Sequence, residues 1–151
     1  MKKSVAPLSV GVVAERYDNT PSTVFVLAHN ATKELLVIRR AKQPGYGLLG
    51  LPGGYQMRGE TWQEAGAREL LEETGCYLQP SFLEFVSIRT DEYQNNLIIA
   101  RSQRSVSVES ERDNEALAVF FSKDIGSRND WAHGDLYEAA VAFLSEMSEC
   151  N

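Results

Sequence analysis

The period of apolar and polar positions changes several times along this chain, and each change marks an element. Leu8 to Ala14 is apolar and valine-rich, Val24 to Ala28 is a second short apolar run, and Leu35 to Ile38 a third. Short runs rich in β-branched residues predict strands. Further strands are predicted at Phe82 to Thr90, Leu97 to Ala100, Val106 to Val108 and Leu117 to Phe121. Tyr17 to Ser22 carries Asp18, Asn19 and Pro21 and reads as a turn, and His29 to Glu34 as a hairpin connection. Two segments switch to helical spacing. In one, Ala67, Leu70, Leu71 and Thr74 fall at i, i+3, i+4 and i+7; in the other, Asp130 to Met147, Leu136, Ala140, Phe143 and Leu144 fall at i, i+4, i+7 and i+8. Strands in one mixed sheet with helices on both sides predict an α/β fold, an α/β/α sandwich. The 151 residues suit one domain, residues 1–151, with no repeat or linker.

The first helix has clear ends. Thr61-Trp62-Gln63-Glu64 fits a capping box, so the helix starts at Thr61. Gly75 is the natural residue just past its end. Beside the apolar stripe, Glu69, Glu72 and Glu73 share one face. Like charges at this spacing repel by roughly 0.2–0.5 kcal/mol per pair, and the helix dipole disfavours carboxylates in the last turn. Such a face is either a solvated acidic surface, with Arg68 pairing to Glu64 or Glu72, or a site for a hard divalent cation, which binds oxygen ligands.

The helix follows a glycine-rich loop from Gln43 to Gly54 that includes Pro44, Gly45, Gly47, Gly50, Pro52 and Gly53. Gly54, Glu60, the run Arg68-Glu69-Leu70-Leu71-Glu72-Glu73 and Gly75-Cys76 together satisfy the pattern G-x5-E-x7-R-E-U-x-E-E-x-G-U, with U a bulky aliphatic. The chain therefore resembles the Nudix hydrolases, whose box this is. The departure is Cys76 at the last U, a small apolar residue that packs similarly. The resemblance covers about Leu8 to Leu144 and is specific from about Arg39 to Cys76. It implies a Nudix-type α/β/α sandwich with a mixed central sheet.

The resemblance also implies a chemistry: water attacks phosphorus in a nucleoside diphosphate linked to a second group. Such a reaction needs charge neutralisation, positioning and an activated water. Carried over by position, Glu72 and Glu73 are metal ligands. Glu69 is a ligand or the base that deprotonates the water. The Gly53 carbonyl is a further ligand, and Mg²⁺ is the expected ion, with Mn²⁺ an alternative. Arg68 and Glu60 are an orienting pair, since a guanidinium suits bidentate pairing with a carboxylate. Gly54 lets the backbone approach the substrate closely. Arg40 is placed to contact phosphate, against the plainer reading of Arg39-Arg40 as a surface pair. The aromatic residue common in the family before this loop is absent, Gly50 standing before Leu51, which leaves Tyr46 and Tyr55 as aromatic neighbours of the substrate. Glu109, Glu111 and Glu115 form an acidic cluster ahead of the strand at Leu117; Glu115 is the first choice for an additional catalytic glutamate, a solvated turn the alternative. His29 and His133 are isolated and are read as surface or capping residues.

Charge and cysteine usage narrow the setting. A net charge of −6 and a pI near 5.0 argue against a nucleic-acid binder, and an acidic protein that holds a polyphosphate needs cations. Cys76 and Cys150 are too few and too separated for a disulfide framework, so a reducing cytoplasm is expected. Met1-Lys2-Lys3 and the apolar run after it imitate a signal peptide, but Pro7, Ser9 and Gly11 interrupt it and Glu15-Arg16 follow, so a strand is read there. No stretch is long enough to cross a bilayer. Nothing in the sequence defines an interface, and a homodimer is left open.

The box specifies the reaction rather than the substrate. Thr90-Asp91-Glu92 stands where many ADP-ribose pyrophosphatases carry a proline. Tyr93 sits near a tyrosine of dinucleoside-polyphosphate hydrolases. Phe120-Phe121 and Trp131-Ala132-His133 are similar to nucleotide-sugar and NADH-type members. The expected substrate is a small nucleotide, a nucleoside diphosphate linked to a sugar or similar group (ADP-ribose-like). The alternatives are a housecleaning (d)NTP pyrophosphatase and a dinucleoside-polyphosphate hydrolase. A non-catalytic nucleotide-sensing module is disfavoured because such modules usually lose a box glutamate, and all are present here.

Overall fold

The structure is a computed structural model that describes residues 3–7, 13–110 and 115–149. Strands β1 (Lys3–Pro7) and β2 (Val13–Tyr17) form an antiparallel hairpin. Most of the strand expected from residue 8 to 14 lies outside the described residues. Then come β3 (Ser22–Leu27), β4 (Leu35–Arg39), β5 (Leu49–Gly50), β6 (Gly53–Tyr55), helix α1 (Trp62–Thr74), β7 (Leu83–Thr90), β8 (Asn96–Ser102), β9 (Ala118–Ser122) and helix α2 (Gly134–Glu149).

Beyond that hairpin the strands divide into two hydrogen-bonded sheets rather than one. A mixed sheet runs β6-β3-β8-β7, with β3 and β8 parallel and the outer pairs antiparallel; an antiparallel sheet runs β5-β4-β9. The cause lies after β3. Leu36 donates to Ala28 O at 2.8 Å, but Val26 already donates to Pro52 O at 2.9 Å, and β6 takes that edge of β3. β4 is left to pair with β5 and β9.

Alternation along β3 builds two cores. Val24 and Val26 join Leu70, Leu78 and Ala100 beneath α1, whereas Leu27 joins Ile99, Leu136 and Phe143 beneath α2. The helices thus cover opposite faces, which makes the α/β/α sandwich. Leu70 and Phe143 are almost wholly buried and contribute roughly 1.5–3 kcal/mol each.

Three expectations change. Residues 106–108 form no strand, because Val106 donates to His29 O while Val108 bridges Cys76, and different partners build no ladder. The glycine-rich loop contains β5 and β6. α2 begins four residues later than expected: Arg128–Asp130 is a separate 3₁₀ turn, and Trp131 is extended, with its buried indole N–H donating to Ile125 O at 2.8 Å. Cys76 is a buried free thiol, and Cys150 lies outside the described residues. No helix among the described residues is long and apolar enough to cross a membrane.

Candidate active site

Helix α1 is pinned at both ends. The Thr61 hydroxyl accepts from Glu64 N at 3.1 Å, and the Glu64 carboxylate accepts from Thr61 N at 2.8 Å. At the other end Gly75 adopts φ +75 and donates to Leu71 O. A Cβ there would strike Ser110 O as well as strain the backbone. Ala65, Ala67, Leu70 and Thr74 face the core, with Leu71 half-buried. The opposite face turns its carboxylates toward β6.

Arg68 knits that face together. Its Nε and Nη2 donate to Glu60 at 2.8 Å each, a bidentate pair, and Nη1 donates to Glu69 at 2.9 Å and Glu72 at 3.2 Å. Nη2 also reaches Tyr55 O at 3.0 Å. These bonds hold the Glu60 carboxyl below its usual range and keep Arg68 charged. Of the two partners expected for Arg68 on a solvated face, Glu72 pairs with it and Glu64 does not, because Glu64 closes the capping box.

Close approach of β6 completes the cluster. Gly53 N–H donates to Glu73 Oε1 at 2.7 Å. A Cβ on Gly54 would lie 2.8 Å from the Glu69 carboxylate, so a larger residue there would displace that carboxylate. Burial pushes the Glu73 carboxyl up to about 8; the Gly53 bond opposes this, and Glu69 and Glu115 add to it. Burial also raises Glu69, with Arg68 opposing and Glu72 and Glu115 adding. Carboxylate oxygens of Glu69, Glu72 and Glu115 lie within 4.8 Å of one another. Three acidic oxygens this close, only one side of them met by Arg68, suit a hard divalent cation.

The glutamates open onto a cleft of about 760 Å³. Gly53, Gly54 and Tyr55 border it beside them; Arg40, Tyr93, His133 and the first residues of α2 line it as well, and the charge of Arg40 reaches both Glu73 and His133. Arg40 Nε donates to Pro44 O at 2.8 Å. Tyr46, expected beside the substrate, does not line the cleft: it is exposed on a loop whose flanking Gly45 and Gly47 have φ +78 and +82 and turn it outward. Glu109 is held through its N–H to Gly75 O and lies outside the cleft lining, and Glu111 lies outside the described residues.

His133 departs from its reading as a surface residue. Its carbonyl does accept the N–H of Tyr137 in the first turn of α2. Its ring, however, borders the cleft edge-on to Tyr93, with centroids 5.5 Å apart at 85°. Burial and Arg40 hold the imidazole below its usual range, which favours the neutral form. Thr23 and Phe25 of β3 also line the cleft, and no local signal marks them. They reach it only through the pairing of β3 with β6 and β8.

Comparison with known proteins places this geometry in context. The sequence profile of the NUDIX domain matches residues 19–141. A putative 8-oxo-dGTP diphosphatase of Bacillus subtilis (strain 168) is 43% identical over 51 residues, 34% of this chain and 32% of that protein. An ADP-ribose pyrophosphatase of Methanocaldococcus jannaschii is 48% identical over 42 residues, 28% of this chain and 25% of that protein. The matched segments thus span a third or less of these curated relatives. Among solved structures, a NUDIX hydrolase from Nitrosomonas europaea superposes with TM-score 0.70 at 17% identity, covering 98% of this chain and 88% of that one. The NUDIX domain of Shewanella oneidensis NrtR, complexed with ADP ribose, superposes with TM-score 0.65 at 16% identity, covering 87% and 90%. At such identities the structural likeness speaks for the fold.

Proposed function

The chain belongs to the NUDIX domain family, and from that premise we propose that it is a divalent-metal-dependent pyrophosphohydrolase of nucleoside diphosphates linked to a second group. The observation that carries this reading is the approach of Glu69, Glu72 and Glu115 oxygens to within 4.8 Å at a cleft that also contains Arg40. Glu69, Glu72, Glu73 and Glu115, with the Gly53 carbonyl, are the groups that would hold Mg²⁺ or Mn²⁺. Bound there, the ion supplies charge neutralisation for the diphosphate and lowers the pKa of water.

The chain's own groups do the rest. Arg40, which lines the same cleft as the glutamates, would meet the substrate phosphates. Arg68, fixed by Glu60, holds Glu69 in place. Glu69, whose carboxyl burial raises above its ordinary value, is the candidate proton acceptor, standing beside the other carboxylates at the cleft. The water oxygen bonds to phosphorus, the bridging P–O bond breaks, and the water proton passes to Glu69. A nucleoside monophosphate and the phosphorylated second group leave.

The names of the relatives support an ADP-ribose-like substrate, and the cleft volume lies in the range of small-molecule sites. A second reading, a (d)NTP pyrophosphatase, is supported by the 8-oxo-dGTP diphosphatase relative. A panel of ADP-ribose, nucleotide sugars, dinucleoside polyphosphates and (d)NTPs with Mg²⁺, followed by chromatography, tests both. The expected products are a nucleoside monophosphate and a sugar phosphate, formed only with metal. Pyrophosphate released from (d)NTPs alone selects the second reading, and hydrolysis in excess chelator contradicts the metal-dependent mechanism.

A further inference from the structure

Away from the cleft, β7 is the outer strand of the mixed sheet, paired with β8 alone, and among the described residues no other backbone is hydrogen-bonded along its free edge. The strand reads Leu83-Glu84-Phe85-Val86-Ser87-Ile88-Arg89-Thr90, with neither proline nor lysine. Phe85 is 50% exposed and Ile88 54%, and Trp62 of α1 meets the Phe85 ring edge to face at 6.1 Å. Long apolar free edges invite pairing, and proteins guard them with prolines, lysines, short strands or bulges. β7 carries one of these guards, a bulge between Phe85 and Ser87.

The bulge makes this edge complementary to itself. Phe85 lies opposite Ala100 and Ile88 opposite Ile98, both of which face the core beneath α1. Glu84 lies opposite Arg101 and Arg89 opposite Leu97, on the α2 side, where Arg101 pairs with Glu146 and Arg89 with Asp135. Phe85 and Ile88 therefore share one face, and Glu84 and Arg89 the other. In an unbulged strand residues an odd number apart point to opposite faces. A two-fold axis between Val86 and Ser87 now sets bulge against bulge. It brings Phe85 opposite Ile88 of a second copy, Glu84 opposite its Arg89 and Leu83 opposite its Thr90, each pair on a matching face.

We infer that the free edge of β7 is a dimer interface, on which a second copy of this chain pairs its own β7 antiparallel about that axis. The charges complement: Glu84 is exposed and accepts a bond from Gln103, and Arg89, exposed with Asp135 held on one Nη, keeps further N–H donors for a carboxylate opposite it. The apolar pairs Phe85–Ile88, flanked by Trp62, leave water together on the α1 side. The two four-stranded sheets then run on as one, and neither keeps an open β7 edge.

Sedimentation velocity on the full chain from about 1 to 100 μM, the weak end of standard interfaces, reads the association. A reversible dimer is expected. Ile88→Lys puts a charge opposite Phe85 of the second copy and should leave monomer throughout. Glu84→Arg and Arg89→Glu each set like charges opposite one another twice per dimer, and each should weaken it roughly 10-fold at low salt. Combined in one chain, the two changes should return the affinity close to the parent's. All three positions are exposed, so melting temperatures should stay near the parent's. If Ile88→Lys does not fold, the charge swaps carry the test. The register is read by mixing Glu84→Cys copies with Arg89→Cys copies, both also Cys150→Ser. Under air a disulfide-linked pair should form in the mixture and in neither variant alone, since opposite Cβ atoms come within disulfide reach. A parent that stays monomeric at the highest concentration, a dimer indifferent to Ile88→Lys, a double swap no tighter than the single ones, or a mixture that links no better than its components would overturn the proposal.

Discussion

Replacing Glu73 by Gln removes one titrating group from behind β6 while nearly preserving its volume and its bond from Gly53 N–H. In the metal-free protein the Glu73 carboxyl is pushed up to about 8, from an ordinary value of 4.5. Between those values the native state holds a proton that the unfolded chain has released. The raised carboxyl therefore contributes stability in full below pH 4.5 and loses it as pH rises through 8. At about 1.4 kcal/mol per pH unit, the loss from pH 6 to pH 8 is about 2 kcal/mol, flattening near the top. For a chain of this size that shifts Tm by roughly 4–8 °C. Glu69 is raised for the same reason and adds slope of the same sign. His133, held below its usual range, contributes the opposite sign near the acid end. Both are present in parent and variant, so the difference isolates Glu73. Calorimetric melts in chelator at pH 6 and pH 8 should show a steeper fall for the parent than for Glu73→Gln. Added Mg²⁺ should flatten the parent's slope, because the cation favours the charged carboxylate. Parallel slopes in chelator would refute the protonated, buried Glu73.

Gly54→Ala places a Cβ against the Glu69 carboxylate, which sits at the end of a flexible side chain. Turnover should fall on the order of 100-fold through misplacement of Glu69 while Tm hardly moves; unchanged turnover would show that Glu69 needs no fixed position. Arg68→Lys loses the bidentate bond to Glu60 and the bridge to Glu69 and Glu72. Its cost in urea denaturation should be about 1–2 kcal/mol after allowance for partial exposure, and a variant as stable as the parent would remove Arg68 as the organiser of the face.

What could be read from the sequence was local. The Thr61–Glu64 capping box and the Gly75 stop depend on neighbours within one turn, and both formed as expected. The spacing from Gly54 to Cys76 pointed to the family that the profile match then showed. The two- and three-residue strands in the glycine loop are too short to show a period, so they went unread. Val106 and Val108 carried a strand composition without a common partner strand. Tyr46 was placed by proximity in sequence, and two positive-φ glycines turned it away. Thr23 and His133 meet the cleft only when β3, the β7–β8 turn and the start of α2 converge, a long-range event that no local spacing encodes.

The central claim is that the carboxylates of α1 and Glu115 form a seat for a divalent cation. Its most direct test is an anomalous-difference map from crystals grown with Mn²⁺. Density centred among the Glu69, Glu72 and Glu115 carboxylates, and lost in Glu72→Gln, is the predicted result. A clean map there at saturating Mn²⁺, with the three side chains still gathered, would contradict it.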